Sequence, residues 1–226
     1  NIRGMNHKGH ITIGVTSQFG LRMLTEIIPA YKKVFPQVTI EITESNVPTL
    51  TRMILEEGID CAVMALNCAD AFAEEQVSLL RKEEVLFAVP AAHGYCLRNR
   101  TGIMTREELI HEFKDENFML SKKGSTLREL ADRIFASAGF QPSTMCETNS
   151  IIATRAMVAK GIGVTFIARS CVSDRENVAY YSLNPRMYRY NALVRRKNLI
   201  QNEPERALFQ HIRGYFERQD EDGPAD

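Results

Sequence analysis

The sequence predicts an α/β fold with mostly parallel sheets. Runs of β-branched and apolar residues alternate with amphipathic helix patterns along nearly the whole chain. Residues 61–66, "CAVMAL", form a continuous apolar run, which is typical of a strand buried on both faces. Proline and glycine stand near the ends of several helix patterns, where they are preferred. Open sheets of this kind bind ligands beyond the carboxyl ends of their strands.

The first elements follow this alternation. Residues 10–16, "HITIGVT", are β-branched and predict a strand, and residues 19–35 have helix periodicity that ends before a proline. Residues 38–43, "VTIEIT", alternate as a strand does. Residues 47–58 predict a helix, with proline in the first turn and Gly58 as its C-cap.

The middle of the chain predicts further strands and a short helix. Residues 77–81 and 84–90 are two separate strand-like runs that follow the strand at 61–66. Residues 105–113, "TREELIHEF", predict a helix that is opened by a T-x-x-E capping box. Residues 117–121, "NFMLS", predict another strand.

The remaining elements complete the pattern. Helix patterns at 126–138 and 150–161 each end at a glycine, and a short strand is predicted between them at 144–147. The later predicted strands are residues 163–168, 178–183 and 189–196. A last helix is predicted over 203–219, before an acidic tail.

Composition excludes several classes of function. The chain has 226 residues and a formal net charge of zero, so it offers no electrostatic case for direct nucleic-acid binding. No apolar run approaches the length of a membrane span, and the polar N-terminus lacks a signal-peptide core. The five cysteines form no close pairs, which favours a reducing compartment and a cytoplasmic location. Since the first residue is not Met, we expect an excised or processed chain.

Four predicted strand-to-helix junctions carry Ser, Thr or Asn at the start of a helix. They are "TSQFG" (16–20), "ESNVP" (44–48), "SKKGST" (121–126) and "ETNS" (147–150). Each helix N-terminus presents unpaired N–H groups and a partial positive charge. If several of these termini converge, they form an anion site.

Helix capping is the simpler interpretation of each junction. Ser, Thr and Asn are the preferred N-caps, and Thr126 with Glu129 reads as a capping box. Capping does not account for Lys122, Lys123 and Gly124, which lengthen the loop and add charge and backbone freedom. Both interpretations, caps alone and an anion site, stay open at this point.

Several longer segments match one family in order. They are "GHITIG", "IIPAYKKVFPQVTIEI", "LTRMILEEGIDCAVMA" and "AGFQPSTMCETNSIIATRAMVAKGIGVTFIA". Over roughly residues 9–217, the chain resembles the effector-binding domain of LysR-type transcriptional regulators. The resemblance implies two Rossmann-like subdomains in a periplasmic-binding-protein-like (type II) fold with two crossover strands. The crossovers would lie near 86–90 and 165–169, so subdomain I would comprise 1–87 and 168–226, and subdomain II 88–167.

The resemblance also implies a function. A small effector, a carboxylate or other anion, would bind in the cleft between the subdomains and need no metal, cofactor or catalytic residue. The chain would form a homodimer or tetramer, with residues 21–35 of one subunit near 126–138 of another. It would reach DNA only through an N-terminal winged helix-turn-helix, which this sequence does not contain. The implied effector contacts are Thr16, Ser17, Gln18, Ser45, Asn46, Ser121, Gly124, Ser125, Thr126, Thr148 and Asn149.

Two other classes of function stay open. An extracytoplasmic solute-binding protein of a transporter would have the same fold, but it should carry a signal peptide or a lipoprotein cysteine. An enzyme on this scaffold would need a titratable constellation, and the junctions offer little beyond hydroxyls, amides and two lysines. Redox sensing would need an exposed cysteine with a low pKa, which the sequence does not reveal.

Overall fold

Strands and helices alternate through the part of the chain that the computed structural model describes, residues 9–16 and 18–221. The strands are β1 (Gly9–Val15), β2 (Val38–Glu44), β3 (Cys61–Leu66), β4 (Val77–Pro90), β5 (Ile103–Thr105), β6 (Asn117–Leu120), β7 (Ser143–Glu147), β8 (Thr165–Ala168) and β9 (Val178–Arg195). The helices are α1 (Gln18–Val34), α2 (Val47–Leu55), α3 (Gly94–Arg98), α4 (Arg106–Phe113), α5 (Thr126–Ala138), α6 (Ile151–Ala159) and α7 (Glu203–Glu221). The predicted α/β class is confirmed.

Two pairs of predicted strands are single long strands. Residues 77–81 and 84–90 both belong to β4, and 178–183 and 189–196 both fall on β9, which ends at Arg195. The two charged residues between the predicted runs of β4 have partners on β9. Lys82 lies 4.1 Å from the centre of the Tyr188 ring, and Glu83 pairs with Arg189. The short elements α3 and β5 lie in a stretch for which no element was predicted.

The chain folds into two compact units. Unit 1 contains the described residues up to Arg81 and from Tyr190 onward, and unit 2 is Lys82–Arg189. The chain therefore passes between the units within β4 and within β9. Residues 168–189 fall in unit 2 because Ala168 pairs with Val85 and Ser182 pairs with Ile103. The subdomain bounds and the crossovers near 86–90 and 165–169, which the resemblance implies, stay predictions.

Unit 1 is built on a mixed sheet. Strand β1 runs parallel to β2, from Gly9↔Val38 to Val15↔Glu44, and parallel to β3 on its other side. The last part of β9 pairs antiparallel with β3. Because β1, β2 and β3 are parallel, the loops that follow them leave the sheet at the same edge.

Both faces of this sheet are covered. All six residues of β3 are buried, as its apolar run predicted. One face packs Cys61 and Val63 against residues of α1 and α7, including Tyr31 and Phe209. The opposite face packs Met64 with other apolar residues, among them Leu50 and Ile54 of α2. The alternation of side chains along β3 thus supplies both cores.

Unit 2 has its own strand pairing and core. Strands β4 and β8 are antiparallel, β5 and β9 are parallel, and β6 and β7 form a separate parallel pair. Its core is rich in aromatic rings; Phe87 lies 5.2 Å, centre to centre, from Phe113 and from Phe166. Helix α5 buries Leu127, Ala131, Ile134 and Phe135 in this core. The helix ends as predicted at a glycine in the left-handed conformation.

Candidate functional site

In unit 1, the residues that follow the parallel strands are held by the sheet and by a helix cap. The Thr16 hydroxyl accepts a hydrogen bond from the backbone N–H of Ala65 at 3.2 Å. The backbone N–H of Ser45 donates to the carbonyl of Val15 at 3.1 Å. Asn46 is the N-cap of α2, and its Oδ1 accepts from the backbone N–H of Thr49 at 2.9 Å. Thr16, Ser45 and Asn46 thus lie at one edge of the sheet, as predicted.

Ser17 and Gln18 are also predicted at this edge of the sheet. Ser17 lies outside the described residues. Gln18 is the first residue of α1, so it stands at a helix N-terminus beside the end of β1. This position agrees with the predicted junction.

In unit 2, the "SKKGST" loop connects β6 to α5. A turn is closed by the N–H of Ser125, which donates to the carbonyl of Lys122 at 3.2 Å. Gly124 has a φ of 91°, in the region that favours glycine. The Ser125 hydroxyl caps α5 by accepting from the N–H of Arg128 at 3.2 Å. The predicted capping box on Thr126 is therefore wrong, because Thr126 is already the buried first residue of the helix.

The loop that follows β7 is tied directly to the "SKKGST" loop. The Asn149 Oδ1 accepts from the backbone N–H of Lys122 at 2.9 Å, and the N–H of Thr148 donates to the carbonyl of Leu120 at 3.0 Å. The Thr148 hydroxyl accepts from the N–H of Ser150, which in turn caps α6. The structure thus brings together the predicted residues of unit 2: Ser121, Gly124, Ser125, Thr126, Thr148 and Asn149.

These side chains share one hydrogen-bonding state. Thr16, Asn46, Ser125, Thr148 and Asn149 each use an oxygen to accept one backbone N–H. A hydroxyl or a carboxamide that accepts in this way keeps its own O–H or N–H free to donate. Among the described residues, none of these donor groups has a protein acceptor. Capping and ligand binding are therefore compatible roles, because capping uses the acceptor and leaves the donor.

One buried charge at this site was not identified from the sequence. Arg128 lies in the first turn of α5, and its side chain is 10% exposed. Its Nη1 donates to the carbonyl of Ser121 at 3.0 Å, and its Nε donates to Asp132 Oδ1 at 2.9 Å. The same Nη1 lies 3.5 Å from Glu147 Oε1. An arginine within a helix pattern is ordinarily predicted to be exposed to solvent. No spacing in the sequence therefore indicated this network.

The described residues also bear on metal binding, membrane spanning and cysteine chemistry. Within residues 9–16 and 18–221, His, Cys, Asp and Glu form no group of three that could hold a metal ion. In the same part of the chain, every helix is too short or too polar to cross a membrane. Cys61 is fully buried, and this burial raises the pKa of its thiol, whereas Cys68 is exposed.

The architecture is the type II periplasmic-binding-protein-like fold. The family model of the LysR substrate binding domain matches residues 6–217. The chain belongs to this family, as the resemblance of its sequence segments indicated.

Curated relatives and solved structures agree with this assignment. A probable RuBisCO transcriptional regulator of Trieres chinensis is 24% identical over 169 residues, which are 73% of this chain and 53% of the relative. The BenM effector binding domain with its effector benzoate has a TM-score of 0.67 at 21% identity, covering 96% of each chain. The effector binding domain of QuiR in complex with shikimate has a TM-score of 0.66 at 19% identity, covering 94% of this chain and 99% of that one. The chain spans about half the length of the first curated relatives it matches.

Proposed function

We propose that this chain is the ligand-sensing domain of a cytoplasmic transcriptional regulator, that it binds a small anionic effector, and that it catalyses no reaction. The observation that carries the proposal is the set of free donors at the strand ends. In unit 2 these belong to Ser125, Thr148 and Asn149, and in unit 1 to Thr16 and Asn46.

A site made of donors favours a ligand made of acceptors. An ionised carboxylate only accepts hydrogen bonds, and it offers about four lone-pair sites on two oxygens. Hydrogen bonds to an ionised acceptor are roughly twice as strong as neutral ones. The N-termini of α2 and α5, capped by Asn46 and Ser125, add partial positive charge at the same loops. We therefore expect a carboxylate to bind better than a neutral ligand of the same shape.

The comparisons support the same class of ligand. Benzoate and shikimate, named with the BenM and QuiR domains, are both carboxylates. The curated relatives include transcriptional regulators, which favours this function over the solute-binding alternative. Contact of one effector with residues of both units, and assembly into a homodimer or tetramer, stay predictions.

Substitution of Asn149 by Asp tests the proposal at one atom. Asn149→Asp has nearly the same shape and keeps Oδ1 as the acceptor for the N–H of Lys122, so the loop should keep its conformation. The change replaces the free N–H donors by a negatively charged oxygen. We expect carboxylate affinity to fall by about 10- to 100-fold, which corresponds to the roughly 1.5–3 kcal/mol of a hydrogen bond to a charged group.

Asn202→Asp is the matched control. Asn202 precedes α7 in unit 1, and its Oδ1 accepts from the N–H of Glu205 at 3.0 Å. It has the same role toward the backbone and gives the same change in net charge, but it lies outside the proposed site. Asn46→Asp repeats the test on the unit 1 loop.

Affinity would be measured by thermal shift and calorimetry against small carboxylates, sulfate, phosphate and the neutral amides of the carboxylates. Bound ligand raises the melting temperature by mass action. The proposal fails if no anion stabilises the wild-type chain. It also fails if Asn149→Asp binds carboxylates as tightly as Asn202→Asp does. Recovery of each ligand unchanged after incubation would support the absence of catalysis.

A further inference from the structure

We propose that the ion-pair network of the buried Arg128 with Asp132 and Glu147 positions the ligand donors of unit 2 and makes the site prefer singly charged anions over doubly charged ones. The inference rests on the proposed function, because it concerns the same anion site. Asp132 lies one turn along α5 from Arg128, and Glu147 is the last residue of β7.

Arg128 holds the "SKKGST" loop from two sides. Its backbone N–H donates to the Ser125 hydroxyl, which fixes the oxygen of that side chain and leaves its O–H free. Its guanidinium donates to the carbonyl of Ser121, the residue at which the chain leaves β6. One residue thus fixes the first and the fifth positions of the loop. Because the guanidinium is planar and rigid, it defines the position of Ser121 more closely than a lysine would.

The same guanidinium reaches the second loop of the site. Glu147, 3.5 Å from Arg128 Nη1, directly precedes Thr148 and Asn149. The Asn149 Oδ1 in turn accepts from the N–H of Lys122. The two loops are therefore joined by two contacts, Arg128 with Glu147 and Lys122 with Asn149. Loss of the guanidinium would loosen both loops where they leave their strands, at Ser121 and at Glu147. Arg128 is therefore a positioning residue, and no direct contact with the ligand is required.

The charges of the network set the electrostatics of the site. Arg128 carries one positive charge and faces two carboxylates, so the network itself has an excess of one negative charge. The exposed Lys122 and Lys123 of the loop reverse this to an excess of one positive charge. The remaining charged pair on this part of α5, Glu129 with Arg133, is neutral overall. One excess positive charge suits a ligand with one negative charge.

Glu147 is the residue that we expect to distinguish singly charged from doubly charged ligands. Its side chain is 46% exposed and its backbone directly precedes Thr148 and Asn149, so we expect it to repel a second negative charge on a ligand. At separations of several ångströms near a protein surface, removal of one such charge changes a binding constant by about three- to tenfold per ligand charge. We therefore expect Glu147→Gln to raise the ratio of dianion to monoanion affinity by about three- to tenfold.

The experiment uses pairs of ligands in which the second member carries one added carboxylate in place of a hydrogen: acetate with malonate, propionate with succinate, and benzoate with phthalate. Binding to the wild-type chain, Glu147→Gln, Arg128→Lys and the control Glu112→Gln is measured by calorimetry at a pH where both carboxyls of the diacids are ionised. Glu112 pairs with Arg98 in the same unit, outside the loops of the site, so its substitution controls for loss of one carboxylate from an arginine. Arg128→Lys keeps the positive charge and loses the planar guanidinium. The Arg128→Lys variant should bind both ligands of a pair about tenfold more weakly, without a change in the ratio of the two affinities.

The outcomes separate this inference from the proposed function. If no anion of any pair binds the wild-type chain, the proposed function fails and this inference fails with it. If anions bind but Glu147→Gln leaves the ratio as it is in Glu112→Gln, the selectivity is refuted and the proposed function stands. If Arg128→Lys binds as tightly as the wild type, positioning by Arg128 is refuted. Should Arg128→Lys fail to fold, an unchanged ratio in the partly exposed Glu147→Gln variant still overturns the proposal.

Discussion

Gly163 is the position where a single added methyl group should disturb unit 2 most. It precedes β8, and its neighbour Val164 donates its N–H to the carbonyl of Asn117 at the start of β6, 2.9 Å away. A Cβ on residue 163 would lie 2.2 Å from the Asn117 oxygen and 3.0 Å from its carbonyl carbon. Both atoms belong to the backbone, so no side chain can move aside. Gly163→Ala therefore forces β6 to shift.

The expected cost follows from this contact. Overpacking a buried site costs typically about 1–3 kcal/mol of unfolding free energy, and more when the backbone must move. We expect Gly163→Ala to lose about 3 kcal/mol or more. Gly161→Ala is the matched control two residues earlier, because residue 161 has a φ of 76° and open space around an added Cβ. Its cost is the strain of the left-handed conformation, about 1–2 kcal/mol.

Urea unfolding of both variants, followed by far-ultraviolet circular dichroism, measures the difference. Because β6 leads into Ser121 and the "SKKGST" loop, Gly163→Ala should also weaken anion binding, while Gly161→Ala should not. The reasoning is refuted if Gly163→Ala is no less stable than Gly161→Ala.

Three further predictions concern the whole chain. Cys68 is exposed and Cys61 is fully buried with a raised pKa, so a thiol reagent should modify Cys68 in the native chain and Cys61 only after unfolding; modification of both at one rate would contradict the burial. The resemblance implies a homodimer in which α1 of one subunit lies near α5 of the other, so sedimentation at micromolar concentration should show twice the monomer mass, and a monomer alone would contradict it. With a formal net charge of zero, the 226-residue chain should not bind an operator at physiological salt, and a sequence-specific mobility shift that resists salt would overturn this.

The elements that sequence predicted best are those defined by local patterns. The apolar run of β3 and the amphipathic helix α5 have the predicted bounds, because burial on both faces and capping are local properties of a few residues. The predicted site residues of unit 2 also lie together, since they follow neighbouring parallel strands.

Features that depend on distant partners were not predictable in this way. The continuity of β4 depends on Lys82 and Glu83 meeting residues of β9, about a hundred positions along the chain. The assignment of residues 168–189 to unit 2 likewise depends on their strand pairing. The burial of Arg128 depends on Glu147 and the carbonyl of Ser121, which no periodicity brings together.

In the proposed function, the strand-end donors hold a small anionic effector. Nuclear magnetic resonance of the isotopically labelled chain, titrated with the tightest-binding carboxylate of the thermal-shift panel, tests this claim residue by residue. We predict that backbone amide signals of Ser121–Thr126 and Thr148–Ser150 shift most in unit 2, and those of Thr16, Ser45 and Asn46 in unit 1, together with the side-chain amide of Asn149. Saturable binding whose largest shifts lie outside these loops, or no shift in them at saturation, would contradict the account.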